Sequence, residues 1–161
     1  MAATRYQIVP ATNAHVYTLA ANLRQGDADE LEATGFHVKH GVRKTFRAAL
    51  LRCSVFADGE LAAMFGMGGD ALSNVGTPWL LTTKAIERVP VSFVRVGRQI
   101  VQDMLHEKPI LVNYVDARYV SACRFVEVLG FVLEPPAPFG PKGALFRRFE
   151  ARREWASIRS P

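Results

Sequence analysis

Cysteine is almost missing from this chain. Its 161 residues hold two, Cys53 and Cys123, each inside an apolar run rather than at a paired or ligand spacing. A disulfide framework and a cysteine-rich zinc site are thereby excluded, and both side chains are expected as buried, reduced thiols in a reducing cytoplasm. Histidine is as sparse. His15, His37, His40 and His106 are scattered, no cluster of Asp or Glu accompanies them, and no metal site is expected. No apolar run approaches the roughly 18 residues of a membrane span, and no apolar segment follows the first basic residues as in a secretory leader. The expectation is a cytoplasmic protein with no membrane partner. "MFGMGGD", residues 64–70, is glycine-rich but lacks the Lys-Ser/Thr of a phosphate-binding loop, and reads as a strand end and loop. Internal repeats and low-complexity segments are absent as well.

What is present is material for a core. An apolar content of 49% with mean hydropathy near zero suits one compact domain. Acid is in deficit, with 15 Asp+Glu against 20 Lys+Arg and a net charge of +5. Much of the excess lies in "FRRFEARREWASIRS", where Arg147, Arg148, Arg152, Arg153 and Arg159 outnumber Glu150 and Glu154. Residues 1–150 are read as the domain and 151–161 as a basic C-terminal tail. A negatively charged partner is compatible with that tail and not required by it. Nucleic acid is not expected, because such binding also needs a recognisable module or a clustered basic face.

Along the chain, "YQIVPA" reads as a strand, and "TNAHVYTLAANLR" as a helix capped by Thr12 or Asn13, with Val16, Leu19, Ala20 and Leu23 on one face. "QGDADELEATGFHVKHG" reads as a loop with one helical turn around Asp29 to Glu32. "VRKTFRAALLRC" restores a helical pattern through Val42, Phe46, Leu50 and Leu51. In "SVFADGELAAMFGMGG" two apolar runs meet at Asp58-Gly59, a strong hairpin signal. "TPWLLTTKAI" is strand-like. "PVSFVRVGRQIVQDMLHEKP" is a helix with Pro90 in its first turn and Pro109 closing it. "ILVNYVDA" is a buried strand. A helix over about Arg118 to Leu129 ends on Gly130 as its left-handed residue, Phe131 opens the next strand, and "ALFRRFEAR" is the last strand after the loop "PPAPFGPKG". The order implies α/β or α+β around one mixed sheet.

That order, and the C-terminal half above all, resembles the GCN5-related N-acetyltransferase (GNAT) fold. Members commonly carry a late helix written Asn-x-x-Ala-x-x-x-Tyr-x-x-x-Gly-Phe. Ala122, Gly130 and Phe131 match it, Tyr119 stands at the Asn position, and Val126 replaces the Tyr that often serves as general acid. "DGELAAMFGM", "GTPWLLTTKAIERVP" and "NYVDARYVSACRFVEVLGF" are further similar to small GNAT-like proteins of short-tailed bacteriophages, found among their morphogenesis and internal virion genes, over roughly residues 5 to 134. The resemblance implies a single GNAT-like domain, with a twisted mixed sheet of about six or seven strands flanked by about four helices.

It also implies a site. In the family, acetyl-CoA lies where two parallel strands splay, and its pyrophosphate meets the N-terminus of the following helix, which offers unpaired N–H groups and a positive dipole end. The usual turn is Arg/Gln-x-x-Gly-x-Gly/Ala. With Gly97 at the last position, Ser92 takes the Arg/Gln place and Arg95 the first Gly place. Arg88, Arg95 and Arg98 are near enough in sequence to supply charge-assisted contacts instead, and Leu81 and Thr82 would donate backbone N–H groups beside the thioester. The same helix also reads as an amphipathic element with a close-packing glycine and a solvated arginine face. Tyr119 or Tyr114 is chemically suited to protonate a departing thiolate, and Asp116 to cap a helix. Asp27, Asp29, Glu30 and Glu32 fall in the acceptor-side region and would attract an amine, or form a solvated acidic loop. The two functions implied are acetyl transfer from acetyl-CoA to a primary amine, and a catalytically inactive virion protein acting through phage protein contacts.

Overall fold

The computed structural model describes residues 2–158. The elements in order are β1 Tyr6–Pro10, α1 Asn13–Ala21, α2 Gln25–Ala33, α3 Val38–Ala48, β2 Ala49–Ala57, β3 Glu60–Gly68, β4 Val75–Thr82, a 3₁₀ turn Lys84–Arg88, α4 Phe93–Glu107, β5 Ile110–Asp116, α5 Val120–Val128, β6 Val132–Leu133, β7 Ala137–Phe139, β8 Ala144–Arg152 and α6 Arg153–Ile158. The fold is α/β with a mixed sheet, as expected. Among the described residues there are eight strands and six α-helices, against the expected six or seven strands and about four helices.

The chain divides into two compact units. Unit 1 is Met1–Gly68 with Trp79–Val91, and unit 2 is Gly69–Pro78 with Ser92–Pro161, so β4 passes from one to the other.

In unit 1, β1 lies antiparallel to β2 and β2 to β3. Asp58 and Gly59 sit at the tip of the β2–β3 hairpin, both left-handed with φ of 49° and 81°, the backbone of a two-residue primed turn. Thr12 caps α1: His15 N donates to its hydroxyl at 3.3 Å, and Thr12 N donates back to His15 Nδ1 at 3.2 Å. The core gathers Val16, Leu19, Val42, Phe46, Leu61, Met64 and Leu81. Gly66 is there because nothing larger fits: a Cβ would lie 2.1 Å from Leu51 O and 2.7 Å from the Trp79 ring.

Two expectations change in this unit. The acidic segment is a full helix, α2, and not a loop with one turn. Its apolar face is little more than Leu31, set against Gly41 of α3, and Ala33, too few positions to write a 3.6-residue stripe. The next helix ends at Ala48, and Leu50 and Leu51 belong to β2 and are exposed. Arg52 supplies the reason for the stop. Its Nη1 donates to Phe46 O at 3.1 Å and its guanidinium lies 4.5 Å from the centre of the Phe46 ring, closing the helix end with a cation.

In unit 2, β5 runs antiparallel to β8 from Ile110↔Arg152 to Asp116↔Phe146, with β6 and β7 on the other side of β8. The strand β7 falls inside the segment read as a Pro/Gly loop; Phe139 holds it there, stacked on Tyr114 with ring centroids 4.0 Å apart. Gly130 is left-handed with φ of 101°, and Phe131 behind it is buried edge-on to Phe149. The segment 151–158, read as tail, is the end of β8 followed by α6. Arg153 binds it to α4, donating from Nε to Leu105 O at 2.8 Å and from Nη2 to His106 O at 2.6 Å. Arg159 and the rest of the expected tail lie outside the described residues.

Candidate functional site

β4 and β5 are parallel neighbours for only two residue pairs, Val75↔Ile110 and Gly76↔Leu111. Pro78 accounts for the break. A strand residue turns its N–H and its C=O to the same edge, and Pro78 turns its carbonyl to β5, so the N–H it lacks is one a β5 partner would have needed. Asn113 spans what backbone pairing leaves. Its Nδ2 donates to Pro78 O at 2.7 Å, and its Oδ1 accepts from Tyr114 N at 2.9 Å. Strand divergence in unit 2 is thus a property of two residues, one that removes a donor and one that replaces it with a side chain. Sequence alone does not single out Asn113. An amide inside a run of β-formers was the available signal, and its partner lies 35 residues away.

The α4 helix begins at Phe93, three residues after Pro90, with Ser92 as N-cap. Ser92 is exposed and helical (φ −57°, ψ −20°), and makes no side-chain cap. Its carbonyl accepts Arg95 N at 3.1 Å. The first turn holds no acid, so neither a hydroxyl nor a carboxylate quenches the positive end of the helix.

The predicted ligand residues separate by what they touch. Arg95 is exposed and forms no ion pair or side-chain hydrogen bond among the described residues. Arg98 donates from Nε to Val128 O at 2.8 Å and so caps the C-terminal end of α5. A Cβ on Gly97 would meet Leu129 Cδ2 at 2.8 Å, which makes it the point of close approach between α4 and the end of α5. Tyr119, half-buried, is the N-cap residue of α5, with its N donating to Asp116 O at 3.0 Å. All of these belong to unit 2.

In unit 1, Arg88 forms an ion pair with Glu60 beside the hairpin tip. Leu81 is in the core and Thr82 is buried. The Thr82 carbonyl accepts Arg24 N at 2.9 Å, and its hydroxyl donates to Asp27 Oδ2 at 2.5 Å. Asp27, expected in a solvated acidic stretch, is therefore a buried carboxylate in the first turn of α2. Asp29 accepts from Gln25 Nε2 at 2.7 Å on the outer face, as a surface acid does.

Asp116 closes β5. Its carboxylate, only 2% exposed, accepts Arg118 N at 2.9 Å and Arg118 Nη2 at 2.7 Å. That Arg118 contact holds its pKa below the ordinary carboxylate range, against the opposing pull of burial. It shapes the turn before α5, while the cap position itself is Tyr119. Among the described residues there is no cluster of His, Cys, Asp and Glu able to hold a metal ion, and no helix long and apolar enough to cross a membrane.

No family model matches the sequence, and no curated protein matches it. Solved structures do. AAC(6')-Ib in complex with parmomycin and acetyl-CoA is similar at 14% identity and a TM-score of 0.67, over 96% of this chain and 98% of that one. Spermidine N-acetyltransferase from Vibrio cholerae, in complex with CoA and spermine, is similar at 11% identity and a TM-score of 0.63, over 92% and 96%. An acetyltransferase of the GNAT family from Bacillus anthracis is similar at 9% identity and a TM-score of 0.65, over 93% and 96%. Identities this low speak for architecture alone, and on that architecture the chain has the GNAT acetyltransferase fold.

Proposed function

We propose that this chain is an acetyl-CoA-dependent N-acyltransferase acting on a primary amine. The observation that carries the reading is the start of α4: first-turn amides with no side-chain cap and no acid, an uncommitted Ser92 hydroxyl, and an unpaired Arg95 three residues on. That donor set fits an anionic pyrophosphate. The parting of β4 from β5 at Pro78 and Asn113 fits a pantetheine arm that takes up backbone groups as a further strand does. Bound structures of the same fold, one with CoA and spermine and one with acetyl-CoA, support the cofactor and the amine class.

Acetyl-CoA supplies an acetyl group already activated as a thioester. The chain's part is to orient and to move protons. Within unit 2, Ser92 and Arg95 would hold the pyrophosphate. The Tyr119 phenol would supply the proton that the CoA thiolate takes up and regain the one that the acylated amine gives off. Arg88, Arg98 and Gly97 drop out of this assignment, since Glu60, Val128 and Leu129 account for them.

A second reading is favoured by that same loss and by Val126 in place of Tyr. In it the chain is a bacteriophage virion morphogenesis or internal protein that keeps the fold and acts through protein contacts. Titration calorimetry with acetyl-CoA separates the two. Saturable binding is expected, weakened by Arg95→Ala by about 1.5–3 kcal/mol, the scale of a hydrogen bond to a charged group, and unchanged by Arg88→Ala. No heat at millimolar acetyl-CoA would exclude the enzyme.

A further inference from the structure

We propose that the exposed face of α3, in unit 1, binds single-stranded nucleic acid. The acidic residues of the chain stop at Glu32 and resume at Asp58, and between them stand Lys39, Arg43, Lys44, Arg47 and Arg52. Four of these are on α3, and all four are exposed. At about 100° per residue, Lys39, Arg43, Arg47, His40 and Lys44 cover an arc of about 140°, while Gly41, Val42 and Phe46 turn to the core. This is the clustered basic face that the C-terminal arginines do not form, since Arg148 and Arg152 are tied to Glu134, Glu150 and Glu154.

The arrangement costs the folded protein stability. Lys39–Arg43 and Arg43–Arg47 are like charges one turn apart, and Lys39 stands in the first turn against the positive dipole end. No ion pair among the described residues offsets either. Residues that a fold selects for its own sake would carry acids here, as α4 does with Asp103 and Glu107.

Aromatic rings accompany the charge. The Arg43 guanidinium lies 5.5 Å from the centre of the Tyr17 ring, and Lys44 Nζ 4.2 Å from that of Phe36. Tyr17 is 64% exposed. A shallow depression is lined by Asn13, Val16, Tyr17, Arg43, Phe46 and Arg47. It offers two guanidinium forks for phosphate, an amide for a base edge and an exposed ring for stacking. Exposed stacking surface beside phosphate donors selects unpaired bases over a duplex, whose bases are already stacked. From Lys39 to Arg47 the helix rises about 12 Å, the reach of three or four stacked nucleotides.

The test is fluorescence anisotropy of the whole chain with a labelled 20-nucleotide single-stranded DNA, titrated from 50 to 200 mM salt. Four cations neutralising four phosphates predict a log–log salt slope of about −2.8, and Arg43→Ala with Arg47→Ala should cut it to about −1.4. Tyr17→Ala should weaken binding about tenfold and leave the slope unchanged, because stacking releases no counterions. The charge-matched pair Arg124→Ala with Lys142→Ala, exposed in unit 2, should change nothing. No binding at 50 mM salt overturns the proposal, as does equal loss in the control pair. A duplex bound as tightly as the single strand, with Tyr17→Ala silent, overturns the single-strand assignment. Competition by polyglutamate at equal charge concentration would make the face a site for an acidic protein and overturn it as well. Acetyl-CoA binding is read separately and should be indifferent to every one of these variants.

Discussion

Each unit buries a charge to the same depth and satisfies it in a different way. Asp27 in unit 1 and Lys108 in unit 2 are both 7% exposed. Asp27 accepts from a side chain, the Thr82 hydroxyl, and so joins α2 to the end of β4. Lys108 donates to three backbone carbonyls of one short loop, Asp70 O and Ala71 O at 2.9 Å and Ser73 O at 2.5 Å. One carboxylate is held by a group that evolution can replace residue by residue. The ammonium is held by main-chain dipoles, available whatever the loop residues are, and the loop in turn takes its shape from the lysine. A fixed charge can therefore serve as a link between elements or as the organising centre of a loop.

The comparison is broken most severely at Lys108. Lys108→Met keeps the apolar stem and leaves three carbonyls without their donor, at a cost of about 3 kcal/mol. Thermal denaturation should show a fall of about 6–12 °C for a chain of this size. A fall under about 2 °C would mean that Asp70–Ser73 holds its shape unaided.

On the other side, Thr82→Val preserves shape and removes one hydroxyl from a buried carboxylate, for about 2 kcal/mol. Asp27→Asn keeps an acceptor for the same hydroxyl and should cost about 1 kcal/mol or less. If the order of those two is reversed in chemical denaturation, it is the charge of Asp27 that unit 1 requires, and not the bond.

These long-range arrangements mark the limit of what the sequence discloses. Features set by neighbours in the chain were legible: the Asp58-Gly59 tip, the Thr12 cap, the stop at Gly130-Phe131, and the final strand. α2 is hard to read because a helix resting on Leu31 and Ala33 has almost no stripe, and the spacing of Leu50 and Leu51 suits a helix while Arg52, which ends it, acts through the backbone of Phe46. At the candidate site the charges were visible and their partners were not. Sequence does not show that Arg88 faces Glu60, 28 residues away, or that Arg98 reaches the Val128 carbonyl, 30 residues away. Asn113 carries no mark of its role without Pro78.

Asp116 sharpens the comparison with a third buried charge, one paired with the Arg118 guanidinium. Arg118 depresses its pKa in the folded state, so the pair's stabilisation is fully present above the unfolded value of about 3.9 and is lost as pH falls through the lower folded value. Arg118 is largely exposed, with a side chain 69% accessible, which screens the pair. Arg118→Ala should cost about 1 kcal/mol between pH 5 and 8, and the gap to the parent should close below about pH 4. A gap that does not narrow at all as the pH falls below about 4 would assign the loss to the Arg118 stem and not to the charge.

The smallest effect is expected at Gly97, and it bears most directly on function. Alanine there gains about 1 kcal/mol of helix propensity, while its Cβ meets only Leu129 Cδ2, the mobile end of a side chain, at 2.8 Å. The two contributions nearly cancel, and the melting temperature should stay within about 2 °C of the parent. At Gly66 the same added methyl would strike the Leu51 carbonyl, so a tolerated Gly97→Ala would distinguish a glycine that eases helix contact from one the backbone requires. Its acetyl-CoA titration then decides what the glycine is for. If Gly97 only admits Leu129, the dissociation constant is unchanged; if its bare backbone cradles a phosphate oxygen, affinity falls at least tenfold while stability does not, and the role assigned to Leu129 is wrong.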